Sequence, residues 1–128
     1  MAITIHLPGT GADLILRTEE KTRWCRCFIS DRGEHLIGGQ PAKYVIHHLL
    51  EGLVDPQANP AGEIEGHPAS WVMSLASPHV SVYCAEVDQD RWLFFQNSEA
   101  IVIRIIILTP EQQEQWKNEL QSILSGLG

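Results

Sequence analysis

The chain has 128 residues, room for one domain, and its 9 Lys and Arg against 16 Asp and Glu leave a formal charge of −7. With 44% hydrophobic and 20% charged residues it has the make-up of a globular protein, not of a disordered or collagen-like one. The acidic excess argues against nucleic-acid or anionic-membrane partners, which require basic residues.

The opening Met1-Ala2-Ile3-Thr4-Ile5-His6-Leu7-Pro8 has no basic leader and no apolar stretch of signal-peptide length. The longest apolar run, Ile101 to Leu108, is broken by Arg104 and far too short to span a membrane. Three cysteines, an odd number, fit a reducing compartment, and the expected location is the cytoplasm.

Thr4 to Leu7 and Leu14 to Thr18 read as the strands of a hairpin across the turn-dense Pro8-Gly9-Thr10-Gly11-Ala12-Asp13. Thr22 to Ser30 adds a third strand, and Asp31-Arg32-Gly33 closes the meander. A helix follows over about 41–53, with Pro41 suited to its first position. Ala42, Val45, Ile46, Leu49, Leu50 and Leu53 form one apolar stripe, and Lys43, His47 and Glu51 stack on another face. Residues 54–70, with three prolines and two glycines and no periodicity, read as a long loop of the kind that often carries function.

Four further strands are predicted: Trp71 to Leu75, His79 to Val87, Arg91 to Asn97 and Ile101 to Leu108. Their short connections require antiparallel neighbours. The last is apolar on both sides, so both faces of its sheet should be covered. Thr109 with Gln112 has the form of a capping box, Pro110 suits the first turn, and Trp116, Leu120, Ile123 and Leu124 mark a narrow buried stripe on a helix over about 110–124. The whole reads as a single α+β domain over 1–128, a mostly antiparallel meander of about seven strands with one central and one C-terminal helix.

The final strand, the Thr109-Pro110-Glu111 start and the amphipathic helix with Trp116 and Leu120 resemble the end of a pleckstrin-homology-type domain. The resemblance covers only these last two elements. It implies a barrel of seven strands in which the helix at 41–53 and the loop after it are insertions, and it carries over no binding residue.

Cys25 and Cys27 share one face of a strand, and with Cys84 and a histidine they would make a zinc site. The second ligand pair such a site normally shows is missing, so the cysteines read as small buried hydrophobes. Of six histidines only His47 and His48 are close in sequence, and on a helix they diverge by about 100°. Glu63, Glu65 and His67 alternate in the 54–70 loop and are the candidate ligands for a divalent ion. Gly38-Gly39 ahead of the helix reads as a flexible lead-in, or as backbone N–H groups offered to an anion. A Gly-x-Ser-x-Gly elbow is absent, as is a phosphate-cradling glycine loop with its Lys-Ser/Thr pair.

Arg104 stands among isoleucines, where an unpaired charge is costly. Hairpin counting puts it beside Phe94 with Trp92 on the diagonal and Glu86 opposite Trp92. That predicts a buried pair with Glu86, an anion anchor built from Arg104, Glu86 and Trp92, or an arginine exposed at the edge of the sheet. Arg17, Lys21, Arg23, Arg26 and Arg32 form a modest cationic segment. These features point to a small interaction or regulatory domain without catalysis, needing no cofactor and meeting another protein or itself, but no nucleic acid and no membrane. The alternatives are a small-molecule- or metal-binding domain, an enzyme included, that uses the 54–70 loop, and a homo-oligomeric accessory subunit pairing through exposed edges such as Thr4 to Leu7.

Overall fold

The computed structural model describes residues 2–126, and the turn-dense stretch at 8–13 is where the chain first doubles back. β1 (Ile3–Leu7) runs antiparallel to β2 (Asp13–Thr18), and β2 pairs in turn with β3 (Trp24–Ser30). The meander does not close at Asp31-Arg32-Gly33. The turn passes into a fourth strand, β4 (Glu34–Pro41), which pairs with β3.

Gly38 and Gly39 belong to this strand and are neither a flexible lead-in nor an anion cradle. Gly39 N–H donates to Ala76 O at 2.8 Å, and Ala76 N–H returns a bond to Gly39 O at 2.9 Å. Gly38 sits at φ +119°, with the Pro78 and Ala76 carbonyl oxygens where a Cβ would have to go. Gly38 lets one sheet approach the corner of the other, a close contact only a residue without a side chain permits, while Gly39 makes room for Trp24 and the Cys25 carbonyl of β3 in its own sheet.

Pro41 ends β4 and stands one residue ahead of α1 (Ala42–Val54). The predicted stripe is the buried one: Ala42, Val45, Ile46, Leu49 and Leu53 face the core, and Leu50 is partly buried against it. Segment 54–70 is not one long loop. It contains β5 (Pro60–Ile64) and the start of β6 (His67–Leu75), joined by Glu65 and Gly66 at φ 53° and 80°. Two left-handed residues in a row are what a tight hairpin turn needs to match strand twist.

β7 (Val80–Val87), β8 (Asp90–Asn97) and β9 (Val102–Leu108) continue as antiparallel neighbours, as their short connections predict. The architecture is therefore α+β, with sheets of order β1-β2-β3-β4 and β5-β6-β7-β8-β9. It has nine strands where about seven are expected, and the seven-stranded barrel implied by the pleckstrin-homology resemblance is not matched.

α2 (Pro110–Gly126) opens with the predicted capping box. Thr109 N–H donates to Gln112 Oε1 at 3.0 Å, and Gln112 N–H donates to Thr109 Oγ1 at 3.2 Å. Trp116 and Leu120 are fully buried, Ile123 and Leu124 partly so. The Trp116 indole N–H donates to Pro8 O at 2.6 Å, and Thr10 exchanges backbone bonds with Ile107. One hydrophobic cluster thus draws on both sheets and both helices.

The second sheet's outer face has a smaller cluster, in which Ile64 and Ala69 of the β5–β6 hairpin bury against Ala85 and Phe94. The cover expected on both sides of β9 is met only in part: Ile106 and Leu108 join the main core and Val102 and Ile105 pack against the smaller cluster, while Ile103 and Arg104 are exposed. No described helix is long and apolar enough to cross a membrane.

Candidate functional site

Two tight features of the second sheet decide where the predicted site residues go. Between β7 and β8 the turn holds two residues, Asp88 and Gln89, so Val87 faces Asp90 and Glu86 faces Arg91. Between β8 and β9 the register shifts after Phe95. Phe95 pairs with Arg104 but Gln96 with Val102, leaving Ile103 as the extra residue of a bulge. Because side chains alternate, each one-residue shift moves a residue to the other face.

The predicted grouping of Arg104, Glu86 and Trp92 is therefore not formed. Arg104 lies on the Phe95 side, half-exposed, with its guanidinium 3.6 Å from the Asp31 carboxylate in the β3–β4 turn. Trp92 lies on the outer face, its ring 5.1 Å from that of His67 and 6.1 Å from Phe94. An exposed pair of this kind is worth little, so Arg104 is not a buried charge held by the fold.

The buried charge is Arg91, whose side chain is only 6% exposed. Its Nη1 donates to Gly52 O and, at 2.8 Å, to Leu53 O, so it caps the end of α1. Its Nη2 lies 3.6 Å from the Glu86 carboxylate. A cation at a helix C-terminus meets orphan carbonyls and the negative end of the dipole. The signal was present in sequence: Arg91, Leu93 and Phe95 alternate, so the arginine shares the inward face of its strand.

Cys84 lies beside it, with Sγ 3.8 Å from Gly52 O and 3.9 Å from Pro56 O. Burial pushes this thiol up to about 11, leaving it a neutral packing group. Cys25 and Cys27 are likewise free and buried. Among the described residues no three His, Cys, Asp or Glu side chains are placed to hold a metal ion.

Glu63, Glu65 and His67, the candidate ligands for a divalent ion, are not gathered into one group in this structure. Glu63 is an exposed strand residue, Glu65 occupies the hairpin turn, and His67 is turned onto Trp92. Two of the five cations of the cationic segment are paired on their own sheet. Arg17 makes a bidentate pair with Glu34 and stacks 4.9 Å over Phe28, and Arg26 pairs with Glu19.

His47 and His48 point to different partners, although their rings meet edge-on with centroids 5.4 Å apart. His47 reaches toward Glu51 at 3.9 Å, whereas His48 packs against Tyr44 and Trp71 with its Nδ1 buried and unpartnered. Burial, helped by neighbouring His47, holds His48 below the ordinary imidazole value of 6.5. The unfolded chain then binds a proton that the folded one refuses. This contribution to stability is complete above pH 6.5 and is lost as pH falls toward the lower folded value. His48→Gln is expected to flatten the fall in melting temperature as pH drops below 6.5. Parallel pH profiles of the two proteins would disprove this origin.

The exposed apolar surface concentrates elsewhere. Leu36 is 43% exposed, Ile103 39% and Ile101 53%. Ile103 and Arg104 lie between two surface cavities. One, of about 280 Å³, is lined by Ile29, Leu36 and Ile37 together with His35; the other, of about 370 Å³, by Gly11, Asp31, Glu65 and the β9 residues Val102 and Ile105. β4 and β9 are both edge strands. Beyond Gly39 with Ala76 and Thr10 with Ile107, no strand pairs with their free sides among the described residues. No family model, curated protein or solved structure matches the chain.

Proposed function

We propose that the protein is a non-catalytic interaction domain that takes an extended, apolar segment of another protein between the free edges of β4 and β9. The observation that carries this reading is that exposed Leu36 and Ile103 line adjoining cavities that share Ile103 and Arg104, with exposed Ile101 two residues before Ile103 on the chain. Contiguous exposed apolar residues mark interaction sites, and unpaired edges offer backbone donors and acceptors to an added strand. Arg104 and Asp31, half-exposed beside the groove, supply charges that orient the incoming segment. The buried unpaired thiols and the acidic surface support a cytoplasmic setting with neither a nucleic acid nor a membrane as partner, and the interaction requires no cofactor.

A photoreactive amino acid at position 103, compared with one at exposed Val54, tests the proposal in the native host. A single defined heterologous adduct at 103, absent at 54, is the expected result. Equal labelling at both positions would overturn it. A second reading, self-assembly, is favoured by β1, an edge strand with Ile3 exposed and no charged residue from Ile3 to Leu7 other than a titratable His6. It predicts a multiple of the 14.3 kDa chain mass in native mass spectrometry.

A further inference from the structure

Segment 54–70, short of regular structure in sequence, builds a separate cavity of about 400 Å³ at the base of the β5–β6 hairpin. Three prolines, Pro56, Pro60 and Pro68, form its walls with Ala69. Their side chains have almost no rotamer freedom to lose, so ordering these walls around a ligand costs little entropy. Its volume falls in the range of small-ligand sites. Glu86 is the single charged residue of the lining, with its side chain 56% exposed.

Arg91 lies behind Glu86 and fixes the sign of the site. Its Nη1 is committed to the carbonyls of Gly52 and Leu53, and only Nη2 approaches Glu86. The end of α1 already carries about half a negative charge, which Arg91 offsets before it reaches the carboxylate. Asp55 precedes the first wall proline, and Asp88 and Asp90 follow Glu86 in its hairpin. An incoming carboxylate or phosphate would meet Glu86 first and the enclosed guanidinium not at all. A positive head group would meet an accessible acceptor already oriented by Arg91.

We propose that this cavity binds an organic cation with a short aliphatic stem, its ammonium or guanidinium head on the Glu86 carboxylate and its stem against the proline walls. Two sources share this chemistry, a free alkyl amine and a lysine or arginine side chain presented by a protein. The site is independent of the β4–β9 groove, and either can fail without the other.

The test is titration of the isolated protein with agmatine, n-butylamine and N-acetyl-lysine methylamide, followed by ¹H–¹⁵N NMR, with n-butanol and valerate as neutral and anionic counterparts. Shifts at the amides of Gln57, Ser70 and Glu86 are expected with the three cations, weakened about tenfold by Glu86→Gln, a loss of the size a charge-assisted bond makes. Gln57→Trp, which leaves the carboxylate in place and fills the opening, is expected to abolish them. Tighter binding of the blocked lysine identifies a protein source, and tighter binding of the free amines a small-molecule source. No shift up to about 10 mM, a response unaltered by Glu86→Gln, or equal binding of butanol or valerate would overturn the proposal.

Discussion

Replacing Gly38 by alanine is expected to destabilise the protein by about 3 kcal/mol or more, measured by urea unfolding. The strain has two parts. At φ +119° an L side chain is disfavoured wherever it occurs, and here the new Cβ would lie 2.5 Å from Pro78 O and 2.9 Å from Ala76 O. Both obstacles are backbone atoms, so no flexible side chain can swing aside. Relief requires the β6–β7 corner to retreat, and that pulls apart the paired bonds between Gly39 and Ala76. Gly33→Ala separates the two parts, because Gly33 has φ +138° but nothing within 4 Å of the place its methyl group would take. It is expected to cost about 1 kcal/mol, the conformational share alone. Equal losses at the two positions would show that the approach of the sheets contributes nothing.

Trp116→Ala is expected to cost about 3–5 kcal/mol, the range for removing a large buried aromatic. Against a total of about 5–15 kcal/mol for an ordinary domain, that leaves the fold close to its limit. Trp116 is the largest of the fully buried side chains, and its indole N–H is the partner of Pro8 O. Truncation therefore opens a cavity between helix and sheets and also leaves that carbonyl without its donor. Trp116→Phe restores most of the volume but not the bond, and is expected to recover more than half of the loss. If Trp116→Ala melts within about 2 °C of the parent, α2 is not part of the cooperative unit.

Both helices and most strands were legible because their signals are local. Apolar residues at helical spacing, a capping box and short turns each fix structure within a few residues. β4 and β5 were not legible, since Gly38, Gly39 and Pro60 weaken a strand pattern for reasons that exist only in three dimensions. An unstructured stretch as long as 54–70 inside a small domain was itself a sign that strands were hidden there. The Glu65-Gly66 turn was the feature to look for, with glutamate standing where asparagine or aspartate is usual.

The site residues failed on register, not on chemistry. A turn of two residues in place of three, and a bulge at Ile103, each moved the count by one. The result exchanged Arg91 for Arg104 as the buried arginine and separated Trp92 from both. Arg104 nevertheless lines two cavities together with exposed Ile103, and segment 54–70 does build a cavity, though by its prolines and not by Glu63, Glu65 and His67.

The bond between Trp116 and Pro8 joins residues 108 positions apart in a chain of 128. Thr10 depends in the same way on Ile107 and on Gln112, so the first hairpin is finished by the last strand and helix. On the ribosome the first hairpin must wait for these partners until β9 and α2 have been made. Loops of this length are slow to close, which makes newly synthesised protein the stage most exposed to capture by chaperones.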